Sequence, residues 1–341
     1  MKIKTLIIIF ITAICAFSCS NDDNNFLNYD NNSFVYIETL VYDDYSGDSQ
    51  LLISNGNQTT PIITSNGTIQ YQIVNSRIVY KNGYDIIEFN PTNHQTQILA
   101  SLPNVQINSF NVSPNYEYLA FSNYEDIFLL NLASGVIENL TANIEGDFRF
   151  PKWSPDGGSI LIRNGIPIIR PGDSAPTATG NFKIFYLSQR NFQNVEMYDQ
   201  FASPSYADWS PDSKNVVYEQ SQAIFIFDVV TEQLRRITTE EVVATNPKFS
   251  NDGGMISYFS SDLSDNGNNW QNFLTLYDIE KESNEIINNI YSYDVSWKDD
   301  SSEILYGTET GIFSYNITNG TITKKVSSNQ STYVHSVNFI N

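Results

Sequence analysis

One short interval recurs along this 341-residue chain and constrains its fold more than any other feature. In four places an aliphatic-aromatic triplet is followed, ten residues after its last member, by Asn or Asp. Self-similarity at a spacing of about forty residues is the signature of a repeat architecture. We therefore expect a fold built from one supersecondary unit that is used many times. The four pairs are Ile78-Val79-Tyr80 with Asn90, Leu119-Ala120-Phe121 with Asn131, Val216-Val217-Tyr218 with Asp228, and Ile304-Leu305-Tyr306 with Asn316.

A turn of one kind precedes several of these triplets. Proline pre-sets φ for the first turn position, Asp can bond its own backbone, and Gly accepts a positive φ, so the pattern favours a tight connection between two strands. The Asn or Asp that ends the interval favours a second turn for the same reason. The turns are Val112-Ser113-Pro114, Trp153-Ser154-Pro155-Asp156-Gly157, Trp209-Ser210-Pro211-Asp212, Phe249-Ser250-Asn251-Asp252-Gly253 and Trp297-Lys298-Asp299-Asp300.

From residue 33 onward the chain is a series of short segments rich in Ile, Val, Tyr and Phe, separated by Asn, Gly, Asp, Ser and Pro. This pattern predicts strands, and no stretch of a dozen residues has the 3.6-residue apolar period of a helix. Each unit contains four strands, named a to d. Strand a ends at the turn, strand b holds the triplet, and strand c precedes the Asn or Asp. Six complete units lie at 67–100, 107–141, 149–198, 205–238, 245–288 and 293–326.

Two fragments at the ends of the chain make a seventh unit. Phe34 to Thr64 supplies strands b, c and d without a strand a, and Tyr333 to Ile340 is a lone strand. Pairing between them would remove the exposed edges of an open array. Residues 33–341 then give about 44 residues per unit, which suits a four-stranded propeller blade. We predict an all-β fold, a β-propeller of seven four-stranded antiparallel blades closed by the C-terminal strand, with six or eight blades as alternatives.

These units resemble the WD-like propeller repeat of the TolB family, which combines a Trp-Ser-Pro-Asp-Gly turn, an Ile-x-Phe strand and a Tyr-x-x-Asp strand. The matching segments are Trp153 to Gly157, Trp209 to Asp212 and Leu276-Tyr277-Asp278. The resemblance implies that Trp153, Trp209 and Trp297 pack between neighbouring blades. It implies no activity, because such propellers serve as scaffolds, ligand binders and gating domains. We expect the chain to depart from TolB in lacking a separate N-terminal α/β domain and in having seven blades rather than six, so docking to envelope lipoproteins is an expectation by analogy.

Three units break the ten-residue interval, and the breaks indicate where a binding site would lie. All three insertions fall between strands b and c, so we expect them on one face of the propeller, which the d–a connections share. Insertions in repeats usually map to one binding face, and binding residues concentrate on loops held by a rigid scaffold. The interval is 26 residues from Ile162 to Ser188, 20 from Tyr258 to Asp278, and 18 from Tyr36 to Ser54.

The inserted segments supply the candidate ligand-binding or partner-binding residues. The longest, Asn164 to Phe182, is expected to be a loop stiffened by Pro167 and Pro171. Aromatic rings beside Arg and Asp suit a glycan or a peptide, through stacking and bidentate hydrogen bonds. The alternative is that these are solvated acidic loops, with Trp270 folded beneath its own loop. The candidates are Arg163, Arg170 and Asp173 around the longest insertion, Asp262, Asp265 and Trp270 in the next, and Tyr42 and Tyr45 in the shortest.

Residues 1–18 have the pattern of an export signal. Lys2 and Lys4 precede an apolar run that is shorter than the roughly 20 residues needed to span a bilayer. Ala16-Phe17-Ser18-Cys19 resembles a bacterial lipobox, which predicts acylation of Cys19; an ordinary secretory signal is the alternative. Residues 19–32 are rich in Asn and Asp and cannot build a core. We therefore expect a lipid anchor in the outer membrane, on its periplasmic or cell-surface side, a flexible tether, and a propeller at 33–341.

The charge and cysteine content narrow the choice of partners. A formal net charge of −20 argues against nucleic acid and against an anionic membrane surface, because both attract Lys/Arg-rich faces. Both cysteines, Cys15 and Cys19, lie in the N-terminal segment, which excludes thiol chemistry in the folded part. We expect a monomer that contacts the membrane through its lipid and binds an envelope protein or an extracellular glycan or peptide.

The sequence gives little evidence for a catalytic site. A peptidase would need a Gly-x-Ser-x-Gly elbow, whereas Gly172-Asp173-Ser174-Ala175-Pro176 lacks the final Gly. A histidine-cluster metal site would need more than His94 and His335. Ser154-x-Asp156 and Ser250-x-Asp252 are similar to a sialidase Asp-box but lie in predicted a–b turns. We expect no catalytic residue, metal or cofactor; the alternative is a glycan hydrolase or lyase that uses carboxylates in the axial funnel.

Overall fold

The computed structural model of the chain describes residues 32–40, 48–168, 177–199, 202–262, 273–289, 292, 294–328 and 332–340. All regular secondary structure in these residues is β-strand. The strands form seven four-stranded antiparallel sheets, each of which is one blade of a β-propeller. The predicted fold class and the predicted number of blades are therefore confirmed.

The first half of the chain forms the N-terminal part of blade 7 and the whole of blades 1 to 3. Blade 7 begins with β1 (Phe34–Leu40), β2 (Ser49–Ser54) and β3 (Thr59–Ser65). Blade 1 contains β4 (Tyr71–Val74), β5 (Arg77–Asn82), β6 (Asp85–Asn90) and β7 (Gln95–Ser101). Blade 2 contains β8 (Ser109–Val112), β9 (Tyr118–Ser122), β10 (Ile127–Asn131) and β11 (Ile137–Asn139). Blade 3 contains β12 (Asp147–Trp153), β13 (Ser159–Ile168), β14 (Thr177–Tyr186) and β15 (Asn191–Asn194).

The second half forms blades 4 to 6 and the last strand of blade 7. Blade 4 contains β16 (Ala207–Trp209), β17 (Asn215–Gln220), β18 (Ala223–Asp228) and β19 (Leu234–Arg236). Blade 5 contains β20 (Val242–Phe249), β21 (Met255–Asp262), β22 (Phe273–Asp278) and β23 (Ser283–Asn289). Blade 6 contains β24 (Val295–Trp297), β25 (Glu303–Thr308), β26 (Gly311–Asn316) and β27 (Ile322–Ser327), and β28 (Thr332–Phe339) follows.

Blade 7 closes the ring by joining the two ends of the chain. β28 pairs antiparallel with β1, with Phe339 opposite Phe34 and Tyr333 opposite Thr39. The order of strands in this sheet is β28-β1-β2-β3, so the C-terminal strand is the strand a that the N-terminal fragment lacks. This closure was predicted and is confirmed.

The hydrophobic core is a ring of seven clusters, one between each pair of neighbouring blades. Each cluster takes buried side chains from both sheets, as Val79 and Leu119 do between blades 1 and 2. Leu305 and Val337 do the same between blades 6 and 7. Every blade is therefore packed on both of its faces, and hydrophobic burial holds the ring together across all seven boundaries.

Three of these clusters contain the tryptophans of the repeat. Trp153 lies between blades 2 and 3, Trp209 between blades 3 and 4, and Trp297 between blades 5 and 6. Their side chains are buried. The inter-blade position implied by the family resemblance is therefore confirmed for all three.

The a–b turns are held by their own polar side chains. Ser154 Oγ donates to Asp156 Oδ1 at 2.5 Å, and the same oxygen accepts the Gly158 amide at 2.9 Å. Ser210 Oγ donates to Asp212 Oδ1 at 2.6 Å, and this bond lowers the pKa of the Asp212 carboxyl. The similarity to an Asp-box thus has a local explanation, because these carboxylates fix the turn.

Candidate functional site

The b–c hairpins and the d–a connections lie at the same end of every blade, because successive strands are antiparallel. We call this side the insertion face. The three extended intervals connect β13 to β14, β21 to β22, and β1 to β2, which are strands b and c in each case. Their predicted position is therefore confirmed.

The longest insertion is a strand extension over much of its length, and its interpretation as a loop from Asn164 to Phe182 is wrong. β13 and β14 pair as far as Ile168 opposite Thr177. Pro167 lies in β13 beyond Gly165, the last residue of β13 that pairs with β12. Proline is accepted there because β13 is an edge strand on that side. Blade 3 therefore projects a β-hairpin from the insertion face.

The blades that carry insertions also have long innermost strands. β12, β20 and β28 contain seven or eight residues, whereas β4, β8, β16 and β24 contain three or four. Each long strand has a β-bulge: β12 between Arg149 and Lys152, β20 between Thr245 and Lys248, and β28 opposite Tyr36. Because all seven innermost strands end at an a–b turn or its equivalent, the extra residues lie toward the insertion face.

Each bulge holds a residue other than glycine at positive φ, in the same position of the strand. The φ values of Phe150, Asn246 and Ser336 are 53°, 55° and 54°. A left-handed conformation costs an L-residue about 1–2 kcal/mol, and such strain clusters at functional sites. Bulges re-aim side chains and are frequent beside active sites. The inner rim of the insertion face is therefore the candidate functional site.

A ring of seven polar side chains, which we call the polar belt, joins the innermost strands below the bulges. Each member lies opposite a residue of strand b in its own blade, as Asn111 lies opposite Ala120 and Lys152 opposite Leu161. Each forms a hydrogen bond with the innermost strand of the next blade, so the belt runs once around the axis. Its members are Gln72, Asn111, Lys152, Asp208, Lys248, Ser296 and Asn338.

The charged members of the belt are paired. Lys152 Nζ lies 2.5 Å from Asp208 Oδ1, and Lys248 Nζ lies 2.7 Å from Asp294 Oδ1. Asp208 Oδ2 also accepts the amide of Phe249 at 3.0 Å. These bonds cross from one blade to the next, so the belt stabilises the ring. The carboxylates of Asp208 and Asp294 are therefore both engaged in ion pairs.

Exposed aromatic side chains in the described part of the chain lie on the insertion face. Tyr84 and Tyr124 lie in b–c turns, Tyr198 and Tyr206 lie between β15 and β16, and Phe150 is the bulge residue of β12; all are 43–61% exposed. Aromatic rings with a polar tip are typical of recognition surfaces. The exposed aliphatic side chains lie instead in c–d turns or outermost strands: Ile98, Val136, Val230, Ile286 and Ile322.

Two arginines face each other across blade 3. Arg149 in β12 lies directly opposite Arg163 in β13. Burial, followed by repulsion from Arg149, lowers the pKa of Arg163. The Arg149 guanidinium lies 5.5 Å from the centre of the Tyr124 ring and 3.8 Å from the Asp147 carboxylate. Like charges at directly opposite positions destabilise a strand pair, so this arrangement carries an energetic cost.

Blade 4 fixes the orientation of Arg163. The guanidinium Nη2 donates to Ser203 Oγ at 3.0 Å, and Ser203 belongs to the connection between β15 and β16. The fully buried amide of Gln220 holds this connection by donating to the Asp199 and Ala202 carbonyls at 2.7 and 2.9 Å. Gln220 therefore acts as a positioning residue for Arg163.

Glu219 brings a carboxyl group to the boundary between blades 4 and 5. Burial raises its pKa, and its Oε2 accepts a hydrogen bond from Thr245 Oγ1 at 2.6 Å. Thr245 is the residue just before the bulge of β20. Among the described carboxylates, Asp299 also has a raised pKa, because of burial, but it lies in an a–b turn on the opposite face.

The structure places two of the sequence-predicted site residues on the insertion face. Arg163 is described in full, and Asp262 is the last residue of β21, opposite Val242. The predicted export signal at residues 1–18 lies outside the described residues. The other predicted residues outside them are Cys19, Tyr42, Tyr45, Arg170, Asp173, Asp265 and Trp270.

No group of three His, Cys, Asp or Glu side chains among the described residues is arranged to hold a metal ion. No helix in that part of the chain is long and apolar enough to cross a membrane.

Comparison with solved structures finds many proteins that share this architecture. TolB from Acinetobacter baumannii superposes with a TM-score of 0.51 at 15% identity, over 74% of this chain and 62% of that one. An oligogalacturonate lyase in complex with manganese gives 0.60 at 11% identity, over 85% and 84%. A puromycin-hydrolyzing peptidase of Mycobacterium tuberculosis gives 0.63 at 12% identity, over 87% and 52%.

These likenesses establish the propeller fold. At such low identity they establish the fold alone, because one fold carries many activities. The chain spans about three fifths of the length of the Acinetobacter TolB chain. No known protein family matches the sequence, and neither does any curated protein.

Proposed function

We propose that this protein is a non-catalytic binding or scaffold protein whose partner docks on the insertion face. One observation carries the proposal: the b–c insertion, the long innermost strand and the strained bulge occur together in blades 3, 5 and 7. Blades 1, 2, 4 and 6 pack into the same ring without these features, so stability does not require them. The exposed aromatic side chains on that face support the same conclusion.

The binding proposal can be tested by shortening the projecting hairpin of blade 3. Residues 166–179 are replaced by Asn-Gly, which forms a two-residue hairpin turn next to the paired Gly165 and Gly180. We expect capture of envelope proteins or glycans to fall while the melting temperature stays nearly constant. As a matched control, residues 188–190 in the c–d turn of the same blade are replaced by Asn-Gly. Equal capture by the two variants would exclude the hairpin from the site.

The cellular context we propose is a lipid-anchored protein of the bacterial outer membrane. The lipobox-like sequence that ends at Cys19 and the acidic tether after it support this proposal, as does the likeness of the fold to TolB. Labelling of cells with a palmitate analogue should mark the native protein and not Cys19→Ala. Equal labelling of both would remove the anchor.

A second candidate is a glycan hydrolase or lyase, and the observation that favours it is the buried carboxyl of Glu219 at the boundary between blades 4 and 5. A buried carboxyl with a raised pKa is suited to act as a general acid, and an oligogalacturonate lyase shares the fold. This candidate predicts cleavage of acidic or neutral oligosaccharides that is lost in Glu219→Gln. Intact substrate after prolonged incubation with the native protein would eliminate it.

A further inference from the structure

The arginine pair of blade 3 has a chemical consequence beyond docking in general. We infer that Arg149 and Arg163 bind a carboxylate group on an oligosaccharide, at the insertion-face end of blade 3. This inference rests on the proposed binding function and names the class of ligand for that face.

Positive charge is concentrated at this end of blade 3. Two guanidinium groups lie on directly opposite residues, and one of them is half-buried with its pKa lowered by burial and by the other. Asp147 lies near Arg149 and is itself more than half exposed. Within the described residues, no carboxylate lies within ion-pair distance of Arg163. An anion placed between the two arginines would relieve their repulsion.

The bulge of β12 also determines this geometry. The ladder from Trp153 opposite Ile160 and Lys152 opposite Leu161 would, if it continued regularly, place Phe150 opposite Arg163. The extra residue of the bulge moves Arg149 into that position instead and leaves Phe150 exposed beside it. The strained residue therefore produces both the arginine pair and the neighbouring free ring.

The chemistry of the guanidinium group indicates which kind of anion would bind. A guanidinium presents a planar fork of donors that matches a carboxylate in bidentate geometry. Arg163 donates to Ser203 through Nη2, and a guanidinium has five N–H donors in all. A polyanion is disfavoured by the net charge of −20 over the whole chain. An isolated carboxylate on an otherwise neutral chain fits both facts.

The aromatic rings beside the arginines favour a sugar as the carrier of that carboxylate. Tyr124 lies under Arg149, and Phe150 follows Arg149 in the strand. Exposed rings of this kind stack on the C–H faces of sugar rings. The exposed aliphatic side chains of the described residues lie elsewhere, in the c–d turns and outermost strands.

The test compares two oligosaccharides that differ in one group. The probes are a β-1,4-linked glucose trisaccharide and the same trisaccharide with glucuronic acid at its non-reducing end. Affinities for the purified full-length protein are measured by calorimetry at low ionic strength. We expect the acidic probe to bind at least tenfold more tightly, as a charge-assisted hydrogen bond at a half-buried site implies. Added salt should reduce this preference.

Three variants locate the site. Arg163→Gln and Arg149→Gln should each reduce the preference for the acidic probe about tenfold or more. Arg235→Gln is the matched control, because Arg235 lies on the outermost strand of blade 4 and pairs with Glu282 at 2.6 Å. It should leave both affinities unchanged. Arg149 is 40% exposed, so its replacement keeps the test valid if Arg163→Gln does not fold.

The outcomes separate this inference from the proposed function. Equal binding of the two trisaccharides, or equal effects of Arg163→Gln and Arg235→Gln, would overturn the carboxylate site and leave docking on the insertion face intact. Binding of a peptide with a free C-terminus, in preference to its amide and to both sugars, would overturn the sugar assignment. If the shortened hairpin captures as much as native protein, the proposed function itself fails, whatever the sugars do.

Discussion

The polar belt supports a stability prediction whose size follows from its contacts. Asp208 bonds to Lys152 Nζ through Oδ1 at 2.5 Å and to the Phe249 amide through Oδ2 at 3.0 Å. The Asp208 side chain is 18% exposed. A hydrogen bond to a charged group contributes about 1.5–3 kcal/mol, and a partly exposed ion pair contributes about 1 kcal/mol or less. Asp208→Ala should therefore lower the free energy of unfolding by about 2–4 kcal/mol.

A second substitution separates the two contributions. Asp208→Asn retains a side-chain oxygen for the Phe249 amide and loses the ion pair, so it should cost about 1 kcal/mol or less. The control is Glu282→Gln, which removes the exposed ion pair with Arg235 and should have a smaller effect than Asp208→Ala. The assay is urea denaturation with extrapolation to water, at an unchanged dependence on denaturant. If Asp208→Ala costs no more than Glu282→Gln, the belt does not hold the blades together and the reasoning is wrong.

Three further predictions concern the carboxyl of Glu219, the bulge and the closure of the ring. Burial raises the pKa of Glu219, so the folded state binds its proton more tightly, and its contribution to stability is lost as the pH rises through the folded pKa. Glu219→Gln should therefore raise the melting temperature more at pH 7 than at pH 4; equal shifts would contradict this. Phe150→Gly should remove the strain at φ 53° and raise stability by about 1 kcal/mol, while weakening binding of the acidic trisaccharide; unchanged binding would separate the ring from the site. Deletion of residues 332–341 removes the buried Val337 and Phe339 and uncovers the edge of β1, so calorimetry should show loss of the cooperative transition and size-exclusion chromatography should show aggregates; a monomer with native melting would refute the closure.

The architecture could be predicted because its signals are local in the sequence. The triplet and the Asn or Asp lie on the two paired strands of one hairpin, since Asn131 lies opposite Tyr118 and Leu130 opposite Leu119. The Asn131 side chain accepts the Ser134 amide at 2.8 Å, so the turn requires a short acceptor there. A hairpin of fixed length therefore places the triplet and the Asn or Asp a fixed number of residues apart. An insertion lengthens this interval, so the position of each insertion could be predicted from the sequence. The interval does not show whether the inserted residues form strands, so their strand content could not be predicted.

The candidate site was mostly hidden because its residues are brought together by register. Arg149 and Arg163 meet only through the pairing of β12 with β13 across a bulge. Two of the bulges do leave a signal, since Phe150 and Asn246 each precede a proline within a strand, and proline in a strand marks an edge or a bulge. The bulge at Ser336 has no such marker.

The polar belt was hidden for a different reason. Its seven positions are equivalent in register but hold amides, lysines, an aspartate and a serine, so no shared residue type marks them. What they share is their place before a large apolar residue at the end of strand a, as Lys152 precedes Trp153 and Asp208 precedes Trp209. A polar residue at this position, whatever its type, would have been the pattern that predicts the belt.

The bulges connect the scaffold to the proposed site. If left-handed residues were needed to build a blade, all seven innermost strands would contain them, yet the register of β4, β8, β16 and β24 is regular. In blade 3 the residue displaced by the bulge is Arg149, which meets Arg163; in blade 5 it is Thr245, which bonds to Glu219. Natural proteins break local rules mainly where function requires it. The strain at these positions is therefore best explained by the side chains that it re-aims, Arg149 beside Arg163 and Thr245 beside Glu219.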